Sequence, residues 1–133
     1  MISMPRNKIN FGTVRKIGLG LPDVEKSTIY GSPSLKVRGK LLTCLPVHKS
    51  AEPNSLAVRI DFDQRAELLA AAPETYYLTD HYVNYPVVLV RFSRIHPDAL
   101  VDLLGMAWRF VTAKTLPRKR TVRKQRDSQA RKR

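Results

Sequence analysis

The sequence predicts an α+β domain: an antiparallel sheet of about five strands, with an N-terminal and a C-terminal helix packed on it. Two observations carry this. Apolar residues recur at helical spacing near the start and near residue 110, and short extended runs lie between, broken by glycine, proline and polar turns. The run of elements is helix, several strands, short helix, strands, long helix. Residues 1–116 suit one domain with a single core, large enough to need no staples.

The first helix is marked by Phe11, Val14, Ile17 and Leu21, with Lys16 on the opposite side. Gly18, Gly20 and Pro22 should end it, glycine by taking a left-handed cap and proline by breaking the hydrogen-bond ladder. Residues 28–30, 35–38 and 41–46 read as extended, with Arg38-Gly39 the turn between the last two. Residues 49–54 read as a loop. Leu56, Val58, Ile60 and Phe62 alternate with Ala57, Arg59 and Asp61, a half-buried strand. Asp63 is positioned to cap a short helix through Ala72, with Leu68 and Leu69 inward; Ala66 stands where a capping box needs Glu, and Pro73 closes the helix. Residues 76–79 and 87–92 form further strands, the second apolar on both faces and therefore central. In the last helix Pro97 occupies the first turn, and Leu100, Leu104, Ala107, Trp108 and Val111 share one face. Asp98 and Asp102 lie near its positive end, Arg109 and Lys114 near its negative end, and Pro117 stops it.

Charge sets the functional expectation. The 133 residues carry 24 Lys or Arg and 11 Asp or Glu, a formal +13. Residues 117–133 hold nine of those cations and one acid, Asp127, hence +8, with only Val122 and Ala130 apolar. Such a segment buries nothing and is expected to be a disordered basic tail that attracts polyanions. Cys44 is the single cysteine, which excludes an internal disulfide and a multi-cysteine zinc site. Residues 1–10 contain no apolar signal core, and no apolar run approaches the roughly 18 residues of a membrane span. A soluble, cytoplasmic protein with no membrane partner is expected, and nucleoid association would suit its charge.

Several stretches resemble the MmcQ/YjbR family of small DNA-binding proteins. They are Leu21-Pro22-Asp23-Val24, Gly31-Ser32-Pro33-Ser34-Leu35-Lys36-Val37-Arg38-Gly39-Lys40, Asp61-Phe62-Asp63-Gln64-Arg65 through Ala72-Pro73, Tyr82-Val83-Asn84-Tyr85-Pro86-Val87-Val88-Leu89-Val90, and the helix containing Trp108. The likeness spans roughly residues 10 to 115 in order. It implies a CyaY-like (frataxin-like) fold and DNA binding, for which paired β-hairpin wings have been proposed in the family. It implies no catalytic residue. Many members place Trp where this chain has Val87, and the basic tail lies outside the resemblance.

The candidate nucleic-acid residues are Lys36, Arg38 and Lys40 at the hairpin, with Arg118, Lys119, Arg120, Arg123, Lys124, Arg126, Arg131, Lys132 and Arg133 in the tail. Lys36 and Arg38, two apart on a strand, are expected to share a face, and Lys40 follows the turn. That pattern suits phosphate contact by a two-stranded ribbon, and equally the protection of an exposed sheet edge. Lys8, Arg15 and Lys16 offer a weaker basic face. Tyr76, Tyr77, Tyr82 and Tyr85 suggest base stacking or ordinary strand packing, and alternation argues against one continuous platform. His48, His81 and His96 have no partner at metal-ligand spacing. Asp61 and Asp63 suit a helix cap better than Mg²⁺, and Cys44 suits a core position. Gly18-Leu19-Gly20 follows a helix and lacks a third glycine, so it is no dinucleotide fingerprint. No catalytic motif is present, and neither enzyme activity nor a cofactor is expected. The leading expectation is largely sequence-independent duplex DNA binding. The alternatives are an RNA- or ribosome-associated protein and a non-enzymatic protein- or small-ligand-binding module.

Overall fold

Asn10 starts the first helix through a reciprocal cap. In the computed structural model, which describes residues 9–113, its side-chain oxygen accepts from the Thr13 N–H at 3.2 Å, and the Thr13 hydroxyl accepts from the Asn10 N–H at 3.3 Å. The helix, α1, runs Phe11–Gly18 and buries Phe11 and Val14. Its end corrects the expected glycine cap: Leu19 takes the C-cap position in the right-handed region, with φ −68°. Gly18 serves packing instead. A Cβ there would collide with the wholly buried Leu35 side chain, so glycine allows the helix to approach the sheet.

Six strands follow, one for each extended run of the sequence: β1 (Val24–Ile29), β2 (Ser32–Val37), β3 (Lys40–Cys44), β4 (Ser55–Arg59), β5 (Tyr76–Tyr77) and β6 (Val87–Arg91). They form one sheet in the order β1-β2-β3-β4-β6-β5, and every neighbouring pair is antiparallel. Two tight turns join the first three. Tyr30-Gly31 and Arg38-Gly39 have positive φ at both positions (50° and 79°, 53° and 80°), the combination that matches the right-handed twist of hairpin strands. As expected, β6 is interior, lying between β4 and β5.

The sheet buries both faces. Leu35, Val37, Leu42, Leu56, Val58, Val88 and Val90 join one core with Phe11, Val14, Leu100, Leu103, Leu104, Ala107 and Val111. Helix α2 (Phe62–Ala71) adds Leu68 and Leu69 to its margin, and α3 (Pro97–Ala113) packs across β2, β3 and β4. On the other face Cys44, Ala57 and Leu89 are buried beneath Ala51, Tyr77 and Tyr82. Two polypeptide loops, not helices, therefore cover that side. This corrects the half-buried reading of β4, whose Ala57 is buried on one face as Leu56 and Val58 are on the other. The strand also ends sooner than alternation suggested. Asp61, not Asp63, caps α2 by accepting the Gln64 N–H at 2.7 Å, so Phe62 becomes the first helical residue. Among the described residues no helix is long and apolar enough to cross a membrane. The basic tail and Lys114 lie outside the described residues.

Candidate nucleic-acid interface

The Arg38-Gly39 hairpin forms as expected, but its cations are arranged differently. Strand β1 covers the outer side of β2, so the β2–β3 ribbon is not an edge. Lys36 stands directly across from Glu25 of β1, which places an acid beside it on the same face. Arg38 has left the strand for the first turn position, where alternation no longer governs its direction. It therefore does not continue the Lys36 face. Its guanidinium donates from Nε to Asp23 Oδ2 at 3.0 Å, with Nη2 also 3.0 Å away. Lys40, across the turn from Val37, is exposed.

Strand registers show what else lies near this turn. Val24 pairs with Val37, Val37 with Lys40, Cys44 with Ala57, and Arg59 with Val87. The start of β1, the β2–β3 turn, the end of β4 and the start of β6 thus share one end of the sheet. The C-terminal half of α3 reaches that end: Trp108 Nε1 donates to the Pro22 carbonyl at 2.9 Å, and the Arg59 guanidinium lies 5.8 Å from the centre of the Phe110 ring.

The charge of the fold is small. Residues 9–113 carry 12 Lys or Arg against 10 Asp or Glu, a formal +2, so most of the +13 belongs to the segments outside them. Several of the 12 are also structural. Arg65 is buried and donates to three carbonyls, those of Tyr85 at 2.7 Å, Val83 at 2.9 Å and Val87 at 3.2 Å, with Phe62 beneath its guanidinium. Arg91 grips both Glu52 oxygens at 2.7 and 2.9 Å and also donates to the Pro73 and Glu74 carbonyls. That bond holds the Glu52 carboxyl below its ordinary value. Arg15 lies over Phe11, and Lys16 is exposed beside it.

The tyrosines divide as alternation requires. Tyr76 enters the helix-side core, whereas Tyr77 packs on the other face and its hydroxyl meets Ser55 Oγ at 2.6 Å. The structure nevertheless assembles a ring cluster that sequence spacing hid. His48 and His81 stack with centroids 3.6 Å apart and planes 9° from parallel; Tyr82 stands edge-on to both, and Tyr85 is tilted 6.0 Å from His81. His48 Nδ1 accepts the Ser50 N–H at 3.1 Å, and Ser50 Oγ meets Thr79 Oγ1 at 2.7 Å. These contacts close the β3–β4 loop against the β5–β6 loop. Among the described residues no group of three or more His, Cys, Asp or Glu is placed to hold a metal ion.

The remaining candidates have structural positions. Asp61 is a cap, and Cys44 is buried, its thiol pushed up to about 11 by desolvation. A hollow of about 760 Å³ lies between the start of α1 and the β3–β4 loop, bordered by Phe11, Leu45, Pro46 and Phe92. Its acidic side chain, Glu52, is already bound to Arg91.

Comparison with solved structures gives a fold likeness. The chain is similar to Deinococcus radiodurans protein DR2400, of the DUF419 domain family, with a TM-score of 0.69, 17% identity and 86% of each chain covered. It is also similar to a DUF1801-family protein from Bacillus subtilis, with a TM-score of 0.48, 13% identity, and 85% of this chain and 82% of that one covered. No protein-family model matches the sequence, and no curated protein matches it.

Proposed function

We propose that this protein binds nucleic acid, with duplex DNA its principal target, through phosphate contacts made mainly by residues 117–133. The observation that carries the reading is the partition of charge: +8 in 17 residues of tail against +2 over residues 9–113. A cationic segment of that density neutralises backbone phosphates and releases their counterions irrespective of base order, so binding is largely sequence-independent. Lys36 and Lys40 add contacts at the sheet end that the C-terminal half of α3 reaches. Arg38 contributes less than its position suggested, because Asp23 competes for it. Duplex DNA is preferred over RNA on the MmcQ/YjbR resemblance, which also suggests a CyaY-like fold, and a cytoplasmic, nucleoid-associated setting suits that target. The role is binding, with no catalytic step and no cofactor.

Fluorescence anisotropy of the full-length protein tests this with duplexes of unrelated sequence and a structured RNA of equal charge. Similar tight binding to all duplexes, with weaker RNA binding, is expected. Preference for the RNA moves the assignment to RNA, and no duplex binding at low salt overturns it.

A further inference from the structure

On the nucleic-acid reading above, we infer that Arg59 is the folded domain's own phosphate-binding group, taking a backbone phosphate of the bound duplex. Arg38, Arg65 and Arg91 each donate to carboxylate or carbonyl oxygens. Arg59 differs. Its Nε is buried with no hydrogen-bond partner, and neither ion pair among the described residues involves it. The Phe110 ring under its guanidinium supplies a partly negative face but no acceptor oxygen. The nearest acid in sequence, Asp61, is engaged as the α2 cap.

A partly desolvated guanidinium without an oxygen partner loses hydration and gains little in return. Burial draws its pKa below the ordinary value, the direction expected when no anion compensates the charge. Arrival of a phosphate reverses that deficit, because the planar donor fork matches two phosphate oxygens. Arg59 ends β4, in register with Val87 of β6. Its Nε is enclosed, while the residue as a whole keeps part of its surface exposed, and it is from that exposed part that a phosphate approaches. Lys40 lies at the same sheet end, and the last turns of α3 reach it too. One duplex strand lying across this end meets Arg59 while the tail holds neighbouring phosphates.

The test observes the Arg59 Nε–Hε resonance by NMR in the full-length protein during titration with a short DNA duplex. A saturable shift of this resonance is expected. Arg59→Met, which keeps the apolar stem over Phe110, should weaken duplex affinity by about 10-fold or more, the effect of one charge-assisted contact, with Arg59→Lys intermediate. Because the wild-type resonance is followed, a variant that fails to fold leaves the test intact. A duplex that binds without moving the Arg59 resonance overturns this assignment alone. A duplex that does not bind overturns the functional reading on which it rests.

Discussion

Arg38 donates from Nε to one carboxylate oxygen, Asp23 Oδ2, at 3.0 Å, and its Nη2 lies 3.0 Å from the same oxygen in an ion pair. The two residues are 15 apart in sequence, and the β1–β2 pairing brings them together. Asp23 follows Pro22, whose carbonyl is held by Trp108 of α3, so the hairpin turn is tied to the last helix through three consecutive links. The most conspicuous cation of the hairpin is therefore occupied in the free protein.

Asp23→Asn should release it. Duplex affinity should rise, and the slope of log K against log salt should steepen by about 1 if the freed guanidinium takes one phosphate. Both partners are substantially exposed, so the loss of stability should stay below about 1 kcal/mol. An unchanged slope places Arg38 away from the bound phosphates.

Arg65 is 8% exposed and supports the β5–β6 loop through three carbonyls. Arg65→Met leaves those acceptors unpaired and should cost about 2–4 kcal/mol in urea unfolding. Hydrogen exchange should accelerate first around residues 83–87. A loss below about 0.5 kcal/mol would show that water replaces the guanidinium freely.

His48 predicts a pH dependence of stability. Desolvation, then repulsion from His81 and Lys49, keeps its pKa below the ordinary 6.5. The acceptor role of Nδ1 toward the Ser50 N–H also resists protonation. In the unfolded chain His48 takes its proton near pH 6.5, while the folded protein declines it to lower pH. Its contribution is thus fully present above pH 6.5 and is lost as pH falls through the depressed folded value. Chemical denaturation at a series of pH values should show stability falling below that point, and His48→Asn should flatten the fall.

Cys44 should resist modification. With its thiol pushed up to about 11 from 9.0, native protein near neutral pH holds roughly 100-fold less thiolate than unfolded chain. A thiol reagent should react slowly with the native protein and rapidly in urea. Equal rates would place Cys44 at the surface.

Much of the fold was legible because its signals are local. The apolar run of β6, the Leu100, Leu104, Ala107 and Val111 face of α3, and the Arg38-Gly39 turn each announce themselves within a few residues. Strand β1 was only partly visible: Val-Glu-Lys-Ser-Thr-Ile is a polar edge, and its extension depends on pairing with β2. Alternation through Phe62 hides the end of β4, which makes Asp63 look like the cap that Asp61 supplies. The interface was harder. Neither the His48–His81 stack, which joins two loops, nor the Asp23–Arg38 pair has a periodic signature. Arg59 looked like the polar phase of an alternating strand, and only α3 crossing the sheet reveals its place over Phe110.

The central claim is that residues 117–133 supply most of the electrostatic binding and the fold supplies the rest. Its most direct test is the salt dependence of duplex affinity for the full-length protein and for one lacking those residues. Neutralisation of about 6–8 phosphates predicts a slope of roughly −5 to −7 for the full chain, reduced by more than half on deletion. A slope that survives deletion of the tail would contradict the account.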